Sequence, residues 1–191
     1  SIKVNTVMVA LKKILKAGLY FDFKKEKAYA EEYVKKLHTA TSSVNKRVMF
    51  LSGGNQQKVV LAKWLLSDAD IIILDEPTRG IDVGAKREIY EIINELVAEK
   101  KVVIVVSSDM EEVIGICDRI IVMHRGKAAM QGTPKEIFSH VEELEQMGLA
   151  APQVSYVFAE LKKRGYDVPT DVYTVKEAKE VLLKLVKQVK S

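Results

Sequence analysis

Leu51-Ser52-Gly53-Gly54-Asn55-Gln56-Gln57-Lys58 and, seventeen residues beyond Lys58, the aspartate of Ile71-Ile72-Ile73-Leu74-Asp75-Glu76-Pro77-Thr78 decide how this chain of 191 residues reads. The first stretch is a small-residue turn opening onto an apolar-patterned helix; the second is a hydrophobic strand ending in two carboxylates. Glycine lets a backbone approach a ligand closely, and a helix N-terminus offers unbonded N–H groups and the positive end of a dipole, so Ser-Gly-Gly before a helix reads as a phosphate contact. An Asp-Glu pair at the carboxyl end of a strand sits where open α/β sheets place their ligands. One carboxylate can hold Mg²⁺ while its neighbour orients or deprotonates a water. Taken singly, Gly53-Gly54 could be an ordinary loop, Asp75-Glu76 a strand end and Asp82 a turn residue. Their order and spacing give them weight.

Working outward, residues 1–50 predict two amphipathic helices. One spans 4–17, with Val7, Met8, Leu11, Ile14 and Leu15 apolar, and is ended by Gly18; the other spans 26–37, with Ala30, Tyr33, Val34 and Leu37. A Thr-, Ser- and Asn-rich loop follows at 39–46. Residues 55–66 predict a helix burying Val59, Leu61, Ala62, Leu65 and Leu66, and 87–98 another burying Ile89, Tyr90, Ile93, Leu96 and Val97. Val102–Val106 is a continuous apolar run of the buried parallel-strand type. Residues 120–123 and 128–131 predict strands joined by the turn His124-Arg125-Gly126-Lys127. Strand and helix alternating in this way imply an α/β fold with a largely parallel sheet. From Gly132 onward three helices are expected, at 134–147, 152–164 and 175–189, the first opened by Thr133 as cap and Pro134 at the first helical position.

Composition agrees with a packed core, at 48% hydrophobic. No apolar run approaches the roughly 20 residues of a membrane span, and the N-terminus has no signal-peptide pattern, so the sequence reads as soluble and intracellular. Cys117 is the only cysteine, which excludes an internal disulfide and a thiolate metal cluster. A net charge of +4, with lysines set against glutamates on helix faces, reads as a solvated surface and not as a nucleic-acid interface. His38, His124 and His140 read as solvated surface residues.

Residues 51–58 resemble the signature loop of ABC-type ATPases, 71–76 their Walker B strand with its catalytic glutamate, and Pro77-Thr78-Arg79-Gly80-Ile81-Asp82 their D-loop. The wording Leu-Ser-Gly-Gly-Asn-Gln-Gln-Lys and Asp-Glu-Pro-Thr-Arg-Gly-Ile-Asp-Val-Gly-Ala-Lys is similar to the second ATPase half of ribose and other sugar importers. The tail, from Gly-Thr-Pro-Lys-Glu-Ile-Phe-Ser-His to Gly-Tyr-Asp-Val-Pro, resembles instead the C-terminal extension of energy-coupling-factor ATPases for vitamins and cobalt. The resemblance implies a partial ABC-ATPase fold of the P-loop NTPase kind in three parts: a helical subdomain segment at 1–50, a signature and Walker B core at 51–131, and a helical appendage at 132–191. It also implies site roles. Asp75 would hold Mg²⁺ through water and Glu76 would polarise the attacking water. Ser52, Gly53, Gly54 and Gln56 would cap the γ-phosphate of ATP bound to an opposing ATPase unit, and Asp82 would report across that interface. The implied partners are another ATPase unit, in the same or a linked chain, and transmembrane permease subunits; the implied location is cytoplasmic, peripheral on the inner face of the cell membrane.

Two departures qualify this. The chain contains no Gly-x-x-x-x-Gly-Lys-[Ser/Thr], since Gly126-Lys127 is followed by alanine and preceded five residues earlier by Ile121. It therefore reads as a fragment that is inactive by itself. Where the family carries Ser-His-Asp after the buried strand, this chain has Ser107-Ser108-Asp109, and a serine has neither the charge nor the reach of an imidazole. Ser108 marks a degenerate switch position. The competing functions are a non-catalytic interaction or dimerisation module, an energy-coupling-factor subunit for a vitamin or metal, and a soluble ABC protein of translation or DNA repair.

Overall fold

The two continuously apolar runs, Ile71–Asp75 and Val102–Val106, form strands, and Asp22, Asp82 and Thr133 each cap a helix. The computed structural model describes residues 1–16 and 18–189. It divides into two compact units, Ser1–Asp109 and Met110–Ser191. That division follows packing; the three segments 1–50, 51–131 and 132–191 stand as a proposal about roles.

In the first unit, α1 (Ile2–Val7) has no side-chain cap, and the loop carbonyls of Lys46 and Val44 accept from the amides of Ile2 and Lys3 at 2.9 and 3.0 Å instead. The helix expected over 4–17 is not continuous. It stops at Val7, passes through a 3₁₀ turn at Leu11–Ile14 and becomes β1 (Leu15–Lys16), paired antiparallel with β2 (Tyr20–Phe21). Gly18, at φ +74°, is a turn residue between these strands and not a helix cap, and Ala17 lies outside the described residues. The reason lies in α2 (Phe23–Lys36). Asp22 caps it by accepting from the amides of Lys24 and Lys25, and the Asp22 amide bonds the Ile14 carbonyl at 2.8 Å, which fixes the chain reversal. Val7, Ala10 and Ile14 still share one buried cluster, closed by Leu66, Tyr29 and Tyr33.

α3 (Gly53–Leu65) takes in the two glycines of the turn, so it begins earlier than the apolar pattern indicates. β3 (Ile71–Asp75) and β4 (Val102–Val106) pair in parallel with Asp75 opposite Val106, joined by α4 (Val83–Ala98) as the crossover. Ile72 and Leu74 are buried on one face; on the other, Ile71, Ile73, Val102, Ile104 and Val106 are about half exposed or more. The parallel pairing is the expected one, but this sheet has two strands.

The second unit opens with α5 (Met110–Ile116), which the sequence reading left unassigned. β5 (Ile120–His124) and β6 (Lys127–Gly132) form the expected hairpin, antiparallel, with Arg125 and Gly126 both at positive φ in its turn. The helix expected over 134–147 breaks at His140 into α6 (Pro134–Ser139) and α7 (Val141–Gln146). The kink lets Ile137, Phe138, Val141 and Leu144 all meet Val122 and Ala151 in one cluster. α8 (Gln153–Lys163) and α9 (Val175–Val189) follow the expected spans closely, with Phe158 fully buried among Val168, Val172 and Ala178. The second unit packs these residues into its own two clusters and leaves Leu149, Val157, Tyr166, Val175, Leu183 and Val186 exposed. Lys190 and Ser191 lie outside the described residues.

Candidate functional site

The expected site residues fall into two neighbourhoods of the first unit, joined by the segment between β3 and α4. The first neighbourhood is the start of α3. Ser52 occupies the cap position, but its side chain accepts no amide of the helix; it accepts from Asn55 Nδ2 at 2.8 Å. Asn55 in turn accepts from the Ala40 amide at 2.6 Å, which ties the preceding loop to the turn. The first amides of α3 are therefore left without a side-chain cap beside exposed Ser52 and Gly53, at the positive end of a helix of 13 residues. Gln56 is turned inward, and its Nε2 donates to the Leu51 carbonyl at 2.9 Å. In this arrangement Gln56 shapes the turn from behind.

The second neighbourhood is the carboxyl end of β3. Asp75 is exposed at the strand end. Glu76 adopts φ +47°, uncommon for a residue with a side chain, and its amide bonds the Val106 carbonyl at 2.8 Å. One carboxylate oxygen of Glu76 accepts from the Ser108 amide at 3.0 Å, so the acid and the switch position are in direct contact through backbone. An open cavity of about 310 Å³ lies there, lined by Glu76, Thr78, Arg79, Gly80 and Ser108, with the Lys86–Asp109 ion pair on its wall. Asp75, Ser52, Gly53, Gly54 and Gln56 do not line it.

Between the two, Asp82 caps α4 by accepting from the Ala85 amide at 2.9 Å. Lys58 is the residue whose position the sequence reading left without a role. It is 2% exposed, donates to the His38 carbonyl at 3.0 Å and pairs with Glu88 at 2.7 Å, fastening α3 to α4 and to the loop after α2. A lysine on the buried face of an otherwise apolar helix was the available signal. Among the described residues no group of three or more His, Cys, Asp or Glu could hold a metal ion. Mg²⁺ needs no such cage, because it is commonly held by one or two carboxylates with phosphate oxygens and water, and exposed Asp75 fits that manner of binding.

A family model described as "ABC transporter" matches residues 3–79. The chain is 50% identical over 127 residues to the ribose import ATP-binding protein RbsA of Clostridium perfringens, a match covering 66% of this chain and 25% of that protein. It is 40% identical over 175 residues to the energy-coupling factor transporter ATP-binding protein EcfA2 of Caldanaerobacter subterraneus subsp. tengcongensis, covering 91% and 60%. The chain thus spans about a quarter of the sugar-importer relative, and the EcfA2 match is long enough that it must run well into the tail. The fold is similar to that of the dimeric bacterial ABC transporter cassette MJ0796, with a TM-score of 0.59 at 23% identity over 70% of this chain and 56% of that one. Motif order and these likenesses agree on an ABC transporter ATPase domain, matched in this chain over residues 3–79.

Proposed function

We propose that this chain supplies the signature and Walker B part of the ATP-hydrolysing subunit of an ABC importer for a sugar. The observation that carries the reading is the first turn of α3, whose amides meet no capping side chain while Ser52 and Gly53 stand exposed beside them. An anion is the partner such a turn suits, and a terminal phosphate is the anion this family handles. The nucleotide that this turn caps is held by the P-loop of an opposing ATPase unit. Ser52, Gly53 and Gly54 cap its γ-phosphate, and Gln56 supports the turn by its bond to Leu51. Glu76, steadied by the Ser108 amide, orients water, and Asp75 holds Mg²⁺, which when bound neutralises charge on the phosphates. Asp82 faces the partner unit. Permease subunits engage the 1–50 segment, which places the protein on the cytoplasmic face of a membrane; no described helix is long and apolar enough to cross one.

The bare face of the β3–β4 sheet supports the same reading, since parallel sheets occur almost only with both faces covered. The P-loop part of a cassette is the cover we assign to it. A second reading, an energy-coupling-factor subunit for a vitamin or metal, is favoured by the length of the EcfA2 match. A third, a non-catalytic interaction module, is favoured by Ser108 at the switch. The experiment is ATPase assay of this chain assembled with a P-loop-bearing ATPase unit. MgATP turnover should depend on Ser52 and fall less than about tenfold in Glu76→Gln, against the 10²- to 10⁴-fold usual for a fully engaged general base. No turnover above that of the P-loop unit alone would favour the non-catalytic reading.

A further inference from the structure

The two helices that bear the signature turn and follow the D-loop touch at their first turns. A Cβ built at Gly54 would lie 2.5 Å from the Cβ of Ala85, closer than two side-chain carbons can approach, and one at Gly53 would lie 3.3 Å from Ile81 Cγ2. Ala85 Cβ is not the end of a flexible chain and cannot swing aside. Its backbone is fixed as well, because the Ala85 amide donates to Asp82 at 2.9 Å. One turn further along both helices, buried Lys58 pairs with Glu88 at 2.7 Å, so the contact is locked from behind.

From this geometry we infer that Ala85 is a positioning residue that transmits the placement of Asp82 to the signature turn. Gly54 is then glycine because Ala85 occupies the space of its side chain. A shift of the Asp82 cap moves Ala85, and Ala85 moves the floor on which Gly54 rests. The inference rests on the reading that this turn meets a phosphate, but its core can be tested in the chain by itself.

Three experiments judge it. In the first, Gly54→Ala, Ala85→Gly and the double variant are compared by thermal unfolding. Gly54→Ala should lower the Tm of the first unit by about 5 °C, and adding Ala85→Gly should recover most of that loss. A double variant no more stable than Gly54→Ala would overturn the contact. The second reads amide exchange at Gln56 to Lys58, the first bonded amides of α3. Asp82→Ala should speed it about tenfold and Asp82→Asn, which keeps an accepting oxygen, should leave it within about threefold of native. Loosening confined to the start of α4 would mean that Asp82 is a local cap only and would overturn the relay. In an ATPase assembly, Gly54→Ala should lower kcat/KM by about 10²-fold and Ala85→Gly should restore it. Restored Tm without restored turnover would show that Gly54 is required by the nucleotide, and would overturn the inference. Absence of turnover with the native chain would count against the proposed function, while the Tm and exchange results would still decide the contact and the relay.

Discussion

The β3–β4 sheet of the first unit and the tail of the second solve the burial problem differently. The parallel pair covers one face with Ile72 and Leu74 and leaves Ile71, Ile73, Val102, Ile104 and Val106 bare on the other. The β5–β6 hairpin of the second unit, being antiparallel, needs only one covered face, and α6 and α7 supply it through Ile137, Phe138, Val141 and Leu144 against Val122. α8 and α9 then close a further cluster around Phe158. The second unit encloses its own clusters, whereas the first leaves one face of its parallel sheet open, as the proposed function requires if another piece of protein covers that face.

Phe158 is fully buried, so Phe158→Ala should cost about 3–5 kcal/mol and melt α8 and α9, seen as lost helical circular dichroism. If the tail tolerates it, the tail is not the closed region described. Next is Lys58→Met, which removes the bonds to His38 and Glu88 from a buried position. A loss of about 1–3 kcal/mol in the first unit is expected, measured by urea unfolding. Thr133→Ala should cost about 1 kcal/mol, because Thr133 and Glu136 form a reciprocal capping box at the start of α6.

The same caps give the tail an acid limit. Bonds from the Thr133 amide and hydroxyl hold Glu136 below its ordinary value of 4.5. Burial pushes Glu177 up, but the Thr174 hydroxyl and the Lys135 ammonium outweigh it and leave it depressed too. Both carboxyls are more acidic folded than unfolded, so their stabilisation is complete above the ordinary value and is lost as pH falls through the depressed ones. Tail helicity should therefore hold at neutral pH and decline below about pH 4.5, with a weaker decline in Glu136→Gln. The smallest effect belongs to the bare sheet face. Ile104→Lys should change the stability of the isolated chain by less than about 0.5 kcal/mol, yet prevent assembly with a P-loop-bearing unit. A large loss of stability would show the face to be packed already.

Much of this was legible in the residues. Val102–Val106 and Ile71–Asp75 are short apolar runs with turn residues on either side, and they became the two parallel strands. The Arg125-Gly126 turn and the Thr-Pro helix start were equally plain, because each depends on local backbone chemistry. The expected helix over 4–17 failed because Val7, Leu11, Ile14 and Leu15 fit a helical period. What diverts the chain is a backbone bond from Asp22 to Ile14, which no side-chain pattern reports. The motif residues were legible one by one, but their mutual arrangement was not. Ala85 against Gly54 depends on the approach of two helices, and the Ser108 amide on Glu76 depends on strand register. Sequence periodicity carries neither.

On the proposed function, this chain contributes one side of an ATP site whose phosphate cradle is supplied by another segment of protein. A helix N-terminus contributes about 0.3 to 2 kcal/mol toward an anion, whereas millimolar affinity needs about 4 kcal/mol. Titration calorimetry of the isolated chain with MgATP, carried to millimolar nucleotide, is the direct test. No saturable heat is expected; saturable binding that Asp75→Ala abolishes would place a phosphate cradle within these residues.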